Sequence, residues 1–156
     1  MQYLQNQKLQ EESGRTEEGK RRSQTRIRIL LVDDEPDTCM SYQMVLQDAG
    51  YECNSYTDSV KALKEFRPNY YDICLLDIKM PMLNGFELCK RIREVDKSLY
   101  AIFVTAAAEY YEKFRSRHYT ELTNNNNNNT SFIQKPIGNK ELIQLVNMTI
   151  ATKDAN

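Results

Sequence analysis

The chain has 156 residues, 40% of them hydrophobic, and a formal net charge of -1. That length supports one domain with a proper core and little beyond it, and the near-neutral balance gives no global attraction to nucleic acid. Apolar runs reach only about four residues against the roughly twenty needed to cross a bilayer, and the N-terminus lacks the apolar stretch of a signal peptide, so a cytoplasmic protein with no membrane partner is expected.

Residues 1 to 25 are poor in apolar side chains and rich in Gln, Glu, Arg and Lys, which predicts a disordered or partly helical tail. Its Lys20-Arg21-Arg22 run, near Arg26 and Arg28, is diluted by Glu11, Glu12, Glu17 and Glu18 and reads as a solvated segment. From Ile27 the pattern changes to that of a folded domain, expected over residues 26 to 152, with 153 to 156 as a short tail.

Strands are predicted at 27 to 32, 51 to 56, 72 to 76, 101 to 104 and 131 to 134. They alternate with amphipathic stretches at about 36 to 48, 58 to 66, 84 to 94, 108 to 118 and 138 to 151. Local signals agree: Asp34 as N-cap with Pro36 in the first turn, Gly50 as a stop, Asp58 starting the second helix with Pro68 beyond it, and Asn84-Gly85 turning into the third. In the last helix Ile143, Val146 and Ile150 are expected to face the core. Cys39, Cys53, Cys74 and Cys89 form no Cys-x-x-Cys pair and fall on these elements, so reduced structural thiols are expected. The only histidine, His118, reads as a surface helix residue.

A five-fold βα alternation argues for a single α/β domain, a parallel sheet with helices on both faces. The carboxyl ends of parallel strands line one crevice. Asp33 and Asp34 end Ile29-Leu30-Leu31-Val32, Asp77 ends Ile73-Cys74-Leu75-Leu76, Thr105 ends Ala101-Ile102-Phe103-Val104, and Lys135 precedes Pro136 after the fifth strand. Three acids, a hydroxyl and an ammonium converging there make a cation and phosphate site.

The ordered motifs Leu31-Val32-Asp33-Asp34-Glu35-Pro36, Leu76-Asp77-Ile78-Lys79-Met80-Pro81, Asn84-Gly85-Phe86-Glu87, Val104-Thr105-Ala106 and Lys135-Pro136 resemble the receiver domain of two-component response regulators, of the chemotaxis-regulator kind. The resemblance implies a doubly wound, flavodoxin-like sheet in the order 2-1-3-4-5 and a cis bond before Pro136. It implies that Asp77 accepts a phosphoryl group from a histidine kinase or phosphotransfer protein and later loses it to water. It also implies Mg2+, with Mn2+ as a substitute, held by Asp34, Asp77 and the backbone carbonyl of Lys79, with Asp33 acting through water. Lys135 then pairs with Asp77 before transfer and with the phosphoryl oxygens afterwards, while Thr105 and the aromatic Phe132 form the switch. The chemistry agrees, since phosphoryl transfer needs positioning and charge neutralisation more than covalent help, and Mg2+ prefers carboxylate and phosphate oxygens.

The output expected of this stand-alone receiver is phosphorylation-dependent binding to a separate protein target, with a homodimer through the family's fourth-helix, fifth-strand and fifth-helix face as a further reading. It is not an enzyme beyond its own phosphoryl transfer and dephosphorylation, and no direct nucleic-acid partner is expected. Three alternatives compete: a receiver-like module that signals without phosphorylation, a Mg2+-dependent phosphohydrolase with an aspartyl nucleophile, and a flavin-binding protein of the same fold class. Lys79 stands where such hydrolases carry a second acid, and no hydroxyl-rich phosphate loop follows the first strand. One departure from the family is length: Lys135 comes thirty positions after Thr105, and six of these are Asn124 to Asn129, which predicts an Asn-rich surface insertion at about 120 to 130.

Overall fold

The runs Ile29-Leu30-Leu31-Val32 and Ile73-Cys74-Leu75-Leu76 are apolar at every position. A strand can bury both of its faces only inside a sheet covered on both sides. In the computed structural model, which describes residues 26–106, 108, 112 and 129–155, this is what forms. Strands β1 (Arg28–Val32), β2 (Glu52–Tyr56), β3 (Ile73–Asp77), β4 (Tyr100–Thr105) and β5 (Thr130–Gln134) alternate with helices α1 (Pro36–Asp48), α2 (Ser59–Glu65), α3 (Gly85–Val95) and α4 (Asn139–Asp154). The sheet is parallel throughout, in the order β2-β1-β3-β4-β5. The expected helical stretch at 108 to 118, with His118, lies outside the described residues apart from Ala108 and Glu112, as does the Asn-rich run before Asn129.

Alternate residues of each strand serve opposite layers. Leu30, Val32, Cys74, Leu76, Ala101 and Phe103 pack against α2 and α3 through Ala62, Phe86, Leu88, Cys89 and Ile92. Ile29, Leu31, Ile73, Leu75, Ile102 and Val104 pack against α1 and α4 through Cys39, Tyr42, Leu46, Leu142 and Val146. Each fully buried Leu or Ile contributes about 2 kcal/mol, so the two layers hold the sheet rigid and fix where its strands end. All four cysteines are buried and unpaired, as their spacing predicts.

Two expectations about helices change. Pro36 is the first helical residue and forces its predecessor into an extended conformation, so Glu35 (φ -85, ψ 110) occupies the N-cap and Asp34 does not. In α4 the row facing the sheet is Leu142, Val146 and Thr149, with Ile150 beside it; Ile143 is turned off that row and only half-buried. The helix also runs to Asp154, where Lys153 donates to Asp72 Oδ1 at 2.7 Å. Elsewhere the local signals act as read: Asp58 accepts from Val60 N–H and Lys61 N–H, Asn84 accepts from Glu87 N–H, and Gly50 takes φ +96 after α1.

The amino ends of the strands are closed by polar ties. Arg28 Nε donates to Glu52, and the Tyr70 ring lies between the guanidinium groups of Arg28 and Arg67. Asp96, at the end of α3 and 3% exposed, accepts from Asn69 N–H at 2.8 Å, Ser98 N–H at 3.1 Å and Ser98 Oγ at 2.8 Å. It thereby joins the loops that deliver β3 and β4. Removing it breaks three part-buried hydrogen bonds, so Asp96→Ala should lower unfolding free energy by about 1 to 3 kcal/mol, and by more than Asp96→Asn, read from urea midpoints.

Candidate functional site

The register decides what meets at the carboxyl edge. Val32 pairs with Leu76, Asp77 with Val104 and Thr105 with Gln134, so Asp33, Asp77, Thr105 and Lys135 all fall within one residue of the last rung. Two further bonds fix that edge: Asp33 N–H donates to Tyr56 O, and Lys135 N–H donates to Thr105 O at 2.8 Å. The peptide bond between Lys135 and Pro136 is cis.

The carboxylates are crowded and largely out of water. Asp33 is 2% and Asp77 8% exposed, Asp34 is half-buried, and one oxygen of each lies within 4.8 Å of the others. Asp33 Oδ1 accepts from Glu35 N–H at 3.0 Å and Asp33 Oδ2 from Lys135 Nζ at 2.7 Å. Asp77 Oδ1 accepts from Ile78 N–H at 2.9 Å, and its Oδ2 stands 3.9 Å from Lys135 Nζ. The lysine therefore forms an ion pair with Asp77, as the sequence reading has it, and in addition a closer hydrogen-bonded pair with Asp33. The Asp33 carboxylate lies nearer the ammonium, and both acids share its charge.

Burial raises the Asp77 carboxyl; Lys135 and the Ile78 N–H oppose this, Asp33 and Asp34 add to it, and it is pushed up to about 7. Burial pulls the Lys135 ammonium down, but the hydrogen bond to Asp33 and the Asp77 charge outweigh it and hold it above its ordinary value.

A cleft of about 520 Å³ opens over these groups, lined by Asp34, Asp77, Lys79, Met80, Thr105 and Lys135 among others. Its floor depends on Gly85. A Cβ there would overlap the Asp77 carbonyl oxygen, and Gly85 N–H instead donates to Ile78 O at 2.8 Å, which pins the start of α3 beneath the acids. Phe132, on β5, is partly buried against Phe103 and Phe86, with centroids 5.1 and 6.0 Å away. Thr105 is 1% exposed at the cleft edge. The sequence-predicted residues Asp33, Asp34, Asp77, Lys79, Thr105 and Lys135 thus share one locale, and Phe132 packs three positions before Lys135.

Three carboxylates bring one oxygen each within 4.8 Å of one another, a ligand set made of oxygens alone. This set fits a hard divalent cation.

The sequence matches the response regulator receiver domain over residues 29–147. The chain belongs to the response regulator receiver family. It is similar to the transcriptional regulatory protein RprY of Bacteroides fragilis, 36% identical over 52% of this chain and 34% of that protein. It is also similar to the sensor histidine kinase RcsC of Escherichia coli, 40% identical over 56% of this chain and 9% of that protein. The chain spans about a third or less of these relatives, and the likeness lies in the receiver. Among solved structures, the response regulator protein TrrA of Thermotoga maritima in complex with Mg2+-BeF is 30% identical and superposes with a TM-score of 0.63 over 79% of this chain and 98% of that one.

A carboxyl whose proton is held in the fold but lost on unfolding stabilises the native state most below pH 4, and that contribution fades as pH rises towards 7. In the presence of a chelator, wild type should lose on the order of 2 kcal/mol between pH 5 and 8. Asp77→Asn should lack that slope and be the more stable of the two at pH 8. Chemical denaturation at both pH values measures it; parallel profiles contradict it.

Proposed function

We propose that this receiver accepts a phosphoryl group on Asp77 and signals by presenting a changed surface to a protein partner. The observation that carries the reading is the Asp77 carboxylate at the mouth of the cleft, with Lys135 Nζ 3.9 Å away and two further acids beside it. In the transfer, an Asp77 oxygen attacks the phosphorus of a phosphohistidine on a histidine kinase or phosphotransfer protein. The P–N bond breaks as the O–P bond forms, the imidazole leaves with a proton, and water later cleaves the aspartyl phosphate.

Asp34, Asp77 and the Lys79 carbonyl are the proposed direct ligands of Mg2+ or Mn2+, with Asp33 acting through water. A cation held there would supply charge neutralisation for the carboxylates and the equatorial phosphoryl oxygens. Lys135 is the mobile cation of the site: its ammonium, now on Asp33 and near Asp77, follows the new charge to the phosphoryl oxygens. Thr105 donates its hydroxyl to the phosphoryl group, and Phe132 repacks behind it, turning a local charge change into a changed surface. The matches to DltR of Streptococcus agalactiae and to RcsC take in 56% of this chain but only 39% and 9% of those proteins, so the output of those longer proteins is not carried over.

Among the described residues no helix is long and apolar enough to cross a membrane, which supports the cytoplasmic setting proposed for a kinase partner. The phosphohydrolase reading calls for a second acid two residues after the nucleophile, and Lys79 stands at that position. Intact mass of wild type and Asp77→Asn after incubation with Mg2+ and acetyl phosphate tests the proposal. One phosphoryl adduct is expected, absent from Asp77→Asn and from a chelator control; an adduct that survives in Asp77→Asn contradicts it.

A further inference from the structure

Six buried polar or charged side chains stand out among the described residues: Asp33, Asp77 and Thr105 at the site, Asp96 between two loops, Thr149 bonded to its own helix, and Ser59. Ser59 is 3% exposed at the first position of α2, yet that helix does not need it. Asp58 Oδ1 already accepts from both Val60 N–H and Lys61 N–H, so the Ser59 hydroxyl is surplus to capping. It turns away from its own helix and donates to the carbonyl of Pro81 at 3.2 Å, twenty-two residues along the chain.

Pro81 lies in the β3–α3 loop, which lines the cleft through Lys79, Met80 and Pro81. The loop is short and strained. Met82 takes a left-handed φ of 68 and is 86% exposed, so its side chain contributes little to hold that turn. Burial of Ile78, Met80 and Leu83 holds it from below, and three hydrogen bonds add to this: Gly85 N–H to Ile78 O at 2.8 Å, Leu83 N–H to Pro81 O at 2.8 Å, and Ser59 Oγ to the same Pro81 oxygen. The first two are internal to the loop. Among these three, only the Ser59 bond ties it to another element.

We propose that Ser59 is a positioning residue for the cation site: its hydroxyl anchors Pro81 and thereby fixes the direction of the Lys79 carbonyl two residues earlier. This rests on the reading of the cleft as a Mg2+ site. Outer groups that orient a ligand change metal affinity without touching the metal, whereas the chemistry of transfer, once the ion is bound, depends on Asp77 and Lys135.

The test is calorimetric Mg2+ titration of wild type, Ser59→Ala and Asp58→Ala, each paired with a melting temperature and with the rate of phosphorylation by acetyl phosphate at saturating Mg2+. Asp58→Ala weakens the start of the same helix by removing its cap but leaves the Pro81 contact. Ser59→Ala should raise the Mg2+ Kd roughly three- to tenfold, with its rate at saturating Mg2+ within about twofold of wild type and faster amide exchange at Leu83. Asp58→Ala should melt lower with an unchanged Kd. An unchanged Kd in Ser59→Ala, or an equal rise in both variants, overturns the role assigned to Ser59 while leaving the cation site standing. Absence of Mg2+ binding in wild type overturns the site itself and this proposal with it.

Discussion

Like charges brought together in a poorly solvated place repel by an amount that grows as water is removed, and the carboxyl edge of this sheet concentrates that repulsion. Asp33, Asp34 and Asp77 are gathered within 4.8 Å, two of them nearly buried, with one lysine to serve them all. Burial does most to raise the Asp77 carboxyl, Asp33 and Asp34 add to it, and Lys135, shared with Asp33, only partly opposes it, so the carboxyl moves up to about 7. A fold selected for stability alone would not keep three carboxylates there. A divalent cation would relieve that tension, and the phosphoryl group that follows would bring new charge to a place already organised to balance it.

Everything around the edge serves to keep it from relaxing. The two apolar layers leave β1, β3 and β4 no freedom to shift register, and a slip of one residue would exchange every core side chain for its neighbour on the opposite face. Gly85 brings α3 against the Asp77 carbonyl, where any side chain would collide. The bond from Lys135 N–H to Thr105 O keeps β5 level with β4. Held this firmly, the acids can respond to a cation or a phosphoryl group by electrostatic change rather than by drifting apart. On the proposed function, the parts that would move are the Lys135 side chain and Phe132 on the partly buried β5.

Much of this was legible in the chain because the signals are local. An apolar run that stops at Asp-Asp or at Asp77 marks a strand end, Pro36 and Asp58 mark helix starts, and βα alternation brings the ends together. What the sequence could not supply were partners chosen by tertiary structure. Asp34 looks like a cap, but Pro36 fixes the helix start one residue later and Glu35 takes the position. Ile143 fits an apolar stripe, yet the phase set by contact with the sheet favours Leu142 and Thr149. Lys135 stands beside two acids, and only the geometry assigns its hydrogen bond to Asp33. Ser59 reads in sequence only as part of a helix start and Asp96 carries no signal, because each bonds to a residue 22 or 27 positions away.

The account turns on Asp77 being a carboxyl held off balance by burial and by its acidic neighbours, and brought into balance by a cation. Carbon-13 NMR titration of the Asp77 side chain, with chelator and then with saturating Mg2+, tests this directly. The account predicts a midpoint near 7 without the ion and below about 5 with it. A midpoint near 4 in both conditions would contradict it.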